Sequence, residues 1–126
     1  LDEWEKQIPG SYEASTLRAI RYQQTNQNDR ALAQYKKSLE LNPNQPIALN
    51  NLAWLLYENS KMNEAMFYAE KAKSLTPENP AILDTYALVA HKSGKLDEAK
   101  AAISKAHQLA PDNADIQKHY DDILGR

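Results

Sequence analysis

The chain has 126 residues and a mass of 14.3 kDa, with 42% hydrophobic residues and only 3 Gly, so neither a disordered chain nor a membrane-embedded one fits. Its 15 basic and 17 acidic side chains are interspersed, leaving a formal net charge of -2 and no like-charged block of the kind that grips nucleic acid or a membrane surface. There is no Cys, which excludes disulfides, thiol nucleophiles and thiolate metal sites, and no apolar run approaches the ~20 residues that span a bilayer.

Residues 1–8 run into Pro9 as residues 36–42 run into Pro43, so the chain is expected to open, over residues 1–9, inside the second helix of an earlier repeat. Trp4 there holds the slot of Ser38, Ala72 and Ala106, and its ring is expected to pack on the next repeat. A cut edge of this kind, with Leu1 and Trp4, is also expected to support end-to-end self-association, and any targeting segment would lie outside this stretch.

Residues 12–45 form the first complete unit. Ala14, Leu17, Ala19, Ile20 and Tyr22 give a helical apolar pattern, which residues 25–28 break with polar turn formers. A second helix follows, with Asp29 expected as its N-cap and Ala31, Leu32, Tyr35, Leu39 and Leu41 on one buried face until Pro43 ends it. The second unit, residues 46–79, repeats this order. Pro46 suits a first helical position, where its missing N–H would have no intrahelical partner. Leu49, Leu52, Ala53 and Leu56 point inward, Asn63 is the expected cap of the next helix, and Ala65, Met66, Ala69, Ala72 and Leu75 form its face, with Lys73 on the polar side.

The third unit, residues 80–113, opens with Asn79 as cap and Pro80 as first helical residue, and Gly94 closes its first helix in a left-handed conformation. Asp97 is the expected cap of the second helix, whose face is Ala99, Ile103, Ala106 and Leu109. Residues 114–126 predict one further helix. Its Asp115, Lys118, Asp121 and Asp122 make it the polar cap that a stacked array requires.

Three features recur every 34 residues: the prolines Pro9, Pro43, Pro77 and Pro111, the alanines Ala19, Ala53 and Ala87, and the alanines Ala31, Ala65 and Ala99. Such a period means a stack of helical hairpins rather than one globular core, with small side chains where the two backbones of a hairpin approach. Together with the Asp/Asn-(Arg/Glu)-Ala opening of each second helix, this grammar resembles the tetratricopeptide repeat, across essentially the whole chain. The chain departs from it at Arg18, where the family usually has Leu, and at Asn26 and Ser60, which replace the turn glycine seen at Gly94. The resemblance implies an all-α fold, a helical hairpin solenoid of about three repeats plus a C-terminal capping helix. A narrower similarity, carried by LDEWEKQIP at the start, ALNNLAWLL at residues 48–56 and PENPAILDT at residues 77–85, is to the repeat lipoproteins of bacterial exopolysaccharide and PEP-CTERM/exosortase systems. It implies the bacterial cell envelope or periplasm, with the cytoplasm as the alternative.

In this family the first helices of the repeats line a concave groove that holds a protein or peptide. By register the ligand-groove positions are Ile20 and Gln23, then Asn50, Asn51, Trp54 and Tyr57, then Asp84, Thr85, Leu88 and His91, flanked by Glu13, Thr16, Leu17, Ile47 and Ala81. Ile20, Trp54 and Leu88 are strictly equivalent and are expected to form an apolar stripe, with Asn50, Asn51 and Asp84 as hydrogen-bonding neighbours. Members that clamp the C-terminal carboxylate of a chaperone carry Lys, Asn and Arg at positions that here read Thr16, Ile20, Asn51, Ala81 and Thr85. Only Asn51 matches, and the cations that a carboxylate needs are missing.

Enzymatic chemistry finds no support in these residues. His91, His107 and His119 have no i, i+4 partner of a metal site, no nucleophile turn or glycine-rich phosphate loop occurs, and neither a catalytic residue, a metal nor a cofactor is expected. The expected function is a protein-interaction scaffold within a longer bacterial protein linked to exopolysaccharide export or envelope assembly. The alternatives are a substrate-recruiting or regulatory segment of a larger enzyme, and a groove for carbohydrate.

Overall fold

The computed structural model describes residues 10–125, and the expectations for residues 1–9, Trp4 included, lie outside them. Among the described residues the chain forms α1 (Tyr12–Gln24), α2 (Asn28–Leu41), α3 (Pro46–Glu58), α4 (Met62–Leu75), α5 (Pro80–Lys92), α6 (Leu96–Leu109) and α7 (Ala114–Leu124), with no strand. Connections of three or four residues join them, so α1/α2, α3/α4 and α5/α6 pair as antiparallel hairpins. Each of α1, α3 and α5 also touches the next odd-numbered helix, through to α7, so these four form the inner layer of the stack.

The alanine pairs sit where the period requires. Ala19, Ala53 and Ala87 on the inner helices and Ala31, Ala65 and Ala99 on their partners all have zero solvent exposure. Larger residues fill the space around them, with Tyr35, Leu52, Leu56, Leu83, Val89 and Ile103 in one continuous core. Ala65→Leu is therefore expected to destabilise the protein by about 1–3 kcal/mol, because the added bulk enters a closed helix contact. An unchanged midpoint in chemical denaturation would refute that close approach.

The turns inside the hairpins repeat with the same period. Asn26, Ser60 and Gly94 all take positive φ, at 59°, 61° and 81°. The next residue then donates its N–H back across the turn, from Gln27 to the Tyr22 carbonyl at 2.8 Å, Lys61 to Leu56 at 2.9 Å, and Lys95 to Ala90 at 2.8 Å. Its own carbonyl starts the second helix by accepting from Ala31, Ala65 or Ala99.

This geometry corrects the expected caps. Asp29, Asn63 and Asp97 lie inside the second helices, and the capping positions belong to Gln27, Lys61 and Lys95, which make no side-chain cap bond. The backbone turn has already set the helix start two residues early, and Asp29 and Asp97 are left to complement the helix dipole. Side-chain caps occur instead at Ser11, Asn79 and Asn113, each accepting from the N–H three residues on, at 3.1, 3.2 and 3.0 Å. Pro46 and Pro80 do open their helices.

Two further expectations change. Leu41, Leu75 and Leu109, each the last residue of its helix, are exposed rather than part of the buried face. Lys73 is half-buried, with its ammonium 4.5 Å above the Tyr86 ring, so it belongs to the joint between α4 and α5. Leu17, counted in the apolar pattern of α1, is likewise exposed, and Arg18 is half-buried.

Candidate functional site

A depression of about 310 Å³ opens on the inner layer between α3, α5 and α7. Helical spacing explains its walls, since residues four apart share a face. Asn50 and Trp54 come from α3, Ala81 and Thr85 from α5, and Asp115 and His119 from α7, with Asn51, Asp84, Asn113 and Ile116 beside them.

At its centre His119 Nδ1 lies 2.8 Å from Asp84 Oδ1. The Asp84 side chain is only 16% exposed, and burial holds its carboxyl above the usual carboxylate range. The hydrogen bond and charge of His119 pull the other way, while Asp115 adds to the rise. Asn50 contributes an amide oxygen that is buried with no hydrogen-bond partner. The half-buried Trp54 ring stacks on Tyr57 at a centroid distance of 5.3 Å and an interplanar angle of 25°.

Of the ten positions expected to line a groove, the depression gathers Asn50, Asn51, Trp54, Asp84 and Thr85. Ile20, Tyr57 and Leu88 are half-buried against the core, and His91 is exposed outside the depression. Ile20, Trp54 and Leu88 are all half-buried, each on an inner-layer helix, and of the three only Trp54 lines the depression. Gln23 accepts a 2.6 Å hydrogen bond from the hydroxyl of the buried Tyr35, which also interacts with the Asn51 amide. Burial pushes the Tyr35 phenol up to about 12.

At the other end of the inner layer, Thr16 donates to Gln45 Oε1 at 2.9 Å and contacts the Ser38 hydroxyl. Ser38 in turn donates to the Tyr12 carbonyl at 2.7 Å. Thr16, Ser38 and Gln45 thus tie α1 and α2 to the start of α3.

Sequence reasoning placed His119 and Asp115 on a capping helix and left them out of the groove. The signal was present: Ala81 and Asp115 are 34 residues apart, as are Asn51, Thr85 and His119, so the period runs on into α7. The other histidine of this region, His107, stacks on Tyr120 at 4.4 Å, joining α6 to α7. Among the described residues no group of three or more His, Cys, Asp or Glu is placed to hold a metal ion, and no helix is long and apolar enough to cross a membrane.

Profiles described as TPR repeat and tetratricopeptide repeat match residues 20–60 and residues 47–79 and 81–113, respectively. No curated protein matches the sequence. Among solved structures the fold is similar to the first TPR of Spaghetti (RPAP3) bound to the HSP90 peptide SRMEEVD, with a TM-score of 0.85 and 18% identity over 94% of both chains. It is similar also to the Arabidopsis OM64 TPR domain, at 0.84 and 17% over 91% of this chain and 95% of that one. The Sgt2 TPR domain from Aspergillus fumigatus follows at 0.83 and 16%, over 94% and 80%.

Proposed function

Because the chain belongs to the tetratricopeptide repeat family, whose profile matches residues 47–79 and 81–113, we propose that it is an interaction module that holds a polypeptide segment against its inner helical layer. The observation that carries this reading is the depression between α3, α5 and α7, where a large aromatic side chain lies beside amide and carboxylate groups. Trp54 supplies contact area, and Asn50 and Asn51 supply groups that pair with a peptide backbone. A structurally similar domain in complex with a peptide supports the choice of ligand class. An acidic tail such as SRMEEVD is not the expected ligand here, since Asp84 and Asp115 face the depression.

The test is a set of peptides selected from a random library on the intact protein, followed by affinity measurements on variants. Trp54→Ala is expected to weaken binding roughly thirtyfold or more, the loss of a central aromatic hot spot. Lys100→Ala, at an exposed position of α6, is the control. Full affinity in Trp54→Ala moves the binding surface elsewhere, and outright unfolding makes Trp54 a core residue. An oligosaccharide array probed in parallel tests carbohydrate binding, and a sugar bound where no peptide binds overturns the polypeptide reading.

The narrower reading, a segment of a bacterial exopolysaccharide or envelope-assembly apparatus, rests on the three sequence phrases at residues 1–9, 48–56 and 77–85. Fractionating cells that make the parent protein tests it, and a purely cytoplasmic parent would sink it.

A further inference from the structure

We propose that the depression between α3, α5 and α7 seats a cationic side chain, a lysine or arginine of the bound polypeptide, with its aliphatic stem along Trp54 and its charged head at Asp84 and Asp115. This deepens the polypeptide-binding reading above and rests on it.

Charge complementarity selects the occupant. Two carboxylates line the depression and neither Lys nor Arg does, although basic and acidic residues are nearly balanced along the chain. Asp84 is the more telling of the two. It is largely withdrawn from water, its hydrogen-bond partner is a single imidazole nitrogen at Oδ1, and its carboxyl is raised by burial and by Asp115. A carboxylate in that state is under-compensated, and a donor-bearing cation relieves it more than a neutral group can.

Asn50 points to the same class by an independent route. Its amide oxygen is buried without a partner, so an incoming N–H supplies a hydrogen bond that this oxygen lacks. Trp54, on the same wall, offers a face to the methylene stem and to the cation itself. An anionic or purely apolar side chain would give Asp84 no partner beyond His119, add no compensation to Asp115 and leave the Asn50 amide oxygen unpaired.

The experiment uses the intact chain and its Asp84→Asn/Asp115→Asn variant, each checked for helix content. A random peptide library is selected on both. The expected result is that peptides enriched on the original chain carry Lys or Arg at one fixed position, and that replacing this residue with norleucine weakens binding about tenfold or more. On the double variant the same replacement should make no difference. Asp115→Asn alone, an exposed position in the first turn of α7, gives a second readout should Asp84→Asn disturb the fold, with part of the loss expected. Peptides that bind without any cation preference, that favour Asp or Glu, or that keep the preference on the variants overturn this inference and leave the polypeptide reading standing. Failure to select any peptide overturns both.

Discussion

Deletion of residues 114–126 is expected to lower the unfolding midpoint sharply and to make the protein self-associate. α7 carries more than polar groups. Ile116 and Ile123 are buried to 2% and 6% exposure in the same core as Ile103 and Ala106, and Tyr120 stacks on His107. Truncating one buried Ile to Ala typically costs about 2–5 kcal/mol, and the deletion removes two while uncovering the apolar surfaces of α5 and α6. Uncovered faces of repeat stacks associate. Thermal melts and sedimentation velocity read the two effects, and Ile123→Ala isolates the packing contribution. A truncated chain that melts like the original and sediments as a monomer would show that α7 is an appendage. It would also lack Asp115 and His119, so any retained peptide binding would exclude α7 from the ligand site.

Tyr35→Ala is expected to be the most damaging single substitution, at about 3–5 kcal/mol, the range for removing a fully buried aromatic ring. The ring has zero exposure and lies in α2 among core residues of the first two hairpins. Its hydroxyl donates to Gln23 of α1 at 2.6 Å, so the loss also removes a hydrogen bond that joins α1 to α2. Tyr35→Phe separates the contributions, since it keeps the ring and removes only the hydroxyl. If urea unfolding gives the same free energy for Tyr35→Ala as for the parent chain, the joint between the first two repeats does not depend on Tyr35.

Much of the fold is determined by residues close together in sequence. Pro46 and Pro80 begin helices because a helix start has no use for the N–H they lack, and Asn26, Ser60 and Gly94 turn the chain at positive φ. The alanine pairs, all fully buried, mark where backbones approach, and their 34-residue spacing states that neighbouring hairpins pack alike. Local propensity and a repeated small residue suffice for that, because every repeat solves the same packing problem.

What only the tertiary structure decided is how each polar side chain is used. Gln23 and Asn51 occupy groove register in the sequence, yet both interact with Tyr35, a choice made by where α2 brings a buried hydroxyl. Asp84 and His119 are 35 residues apart and meet because α7 stacks on the third hairpin. Lys73 lies over Tyr86 because α4 meets α5 at that joint, although helical spacing places it on a polar side. The caps moved for the opposite reason, a purely local backbone hydrogen bond from Gln27, Lys61 and Lys95 that starts each second helix before Asp29, Asn63 or Asp97 is reached. A helical pattern records which face a residue occupies, whereas its hydrogen-bond partner depends on the neighbouring helix, and the candidate site is made of such partners.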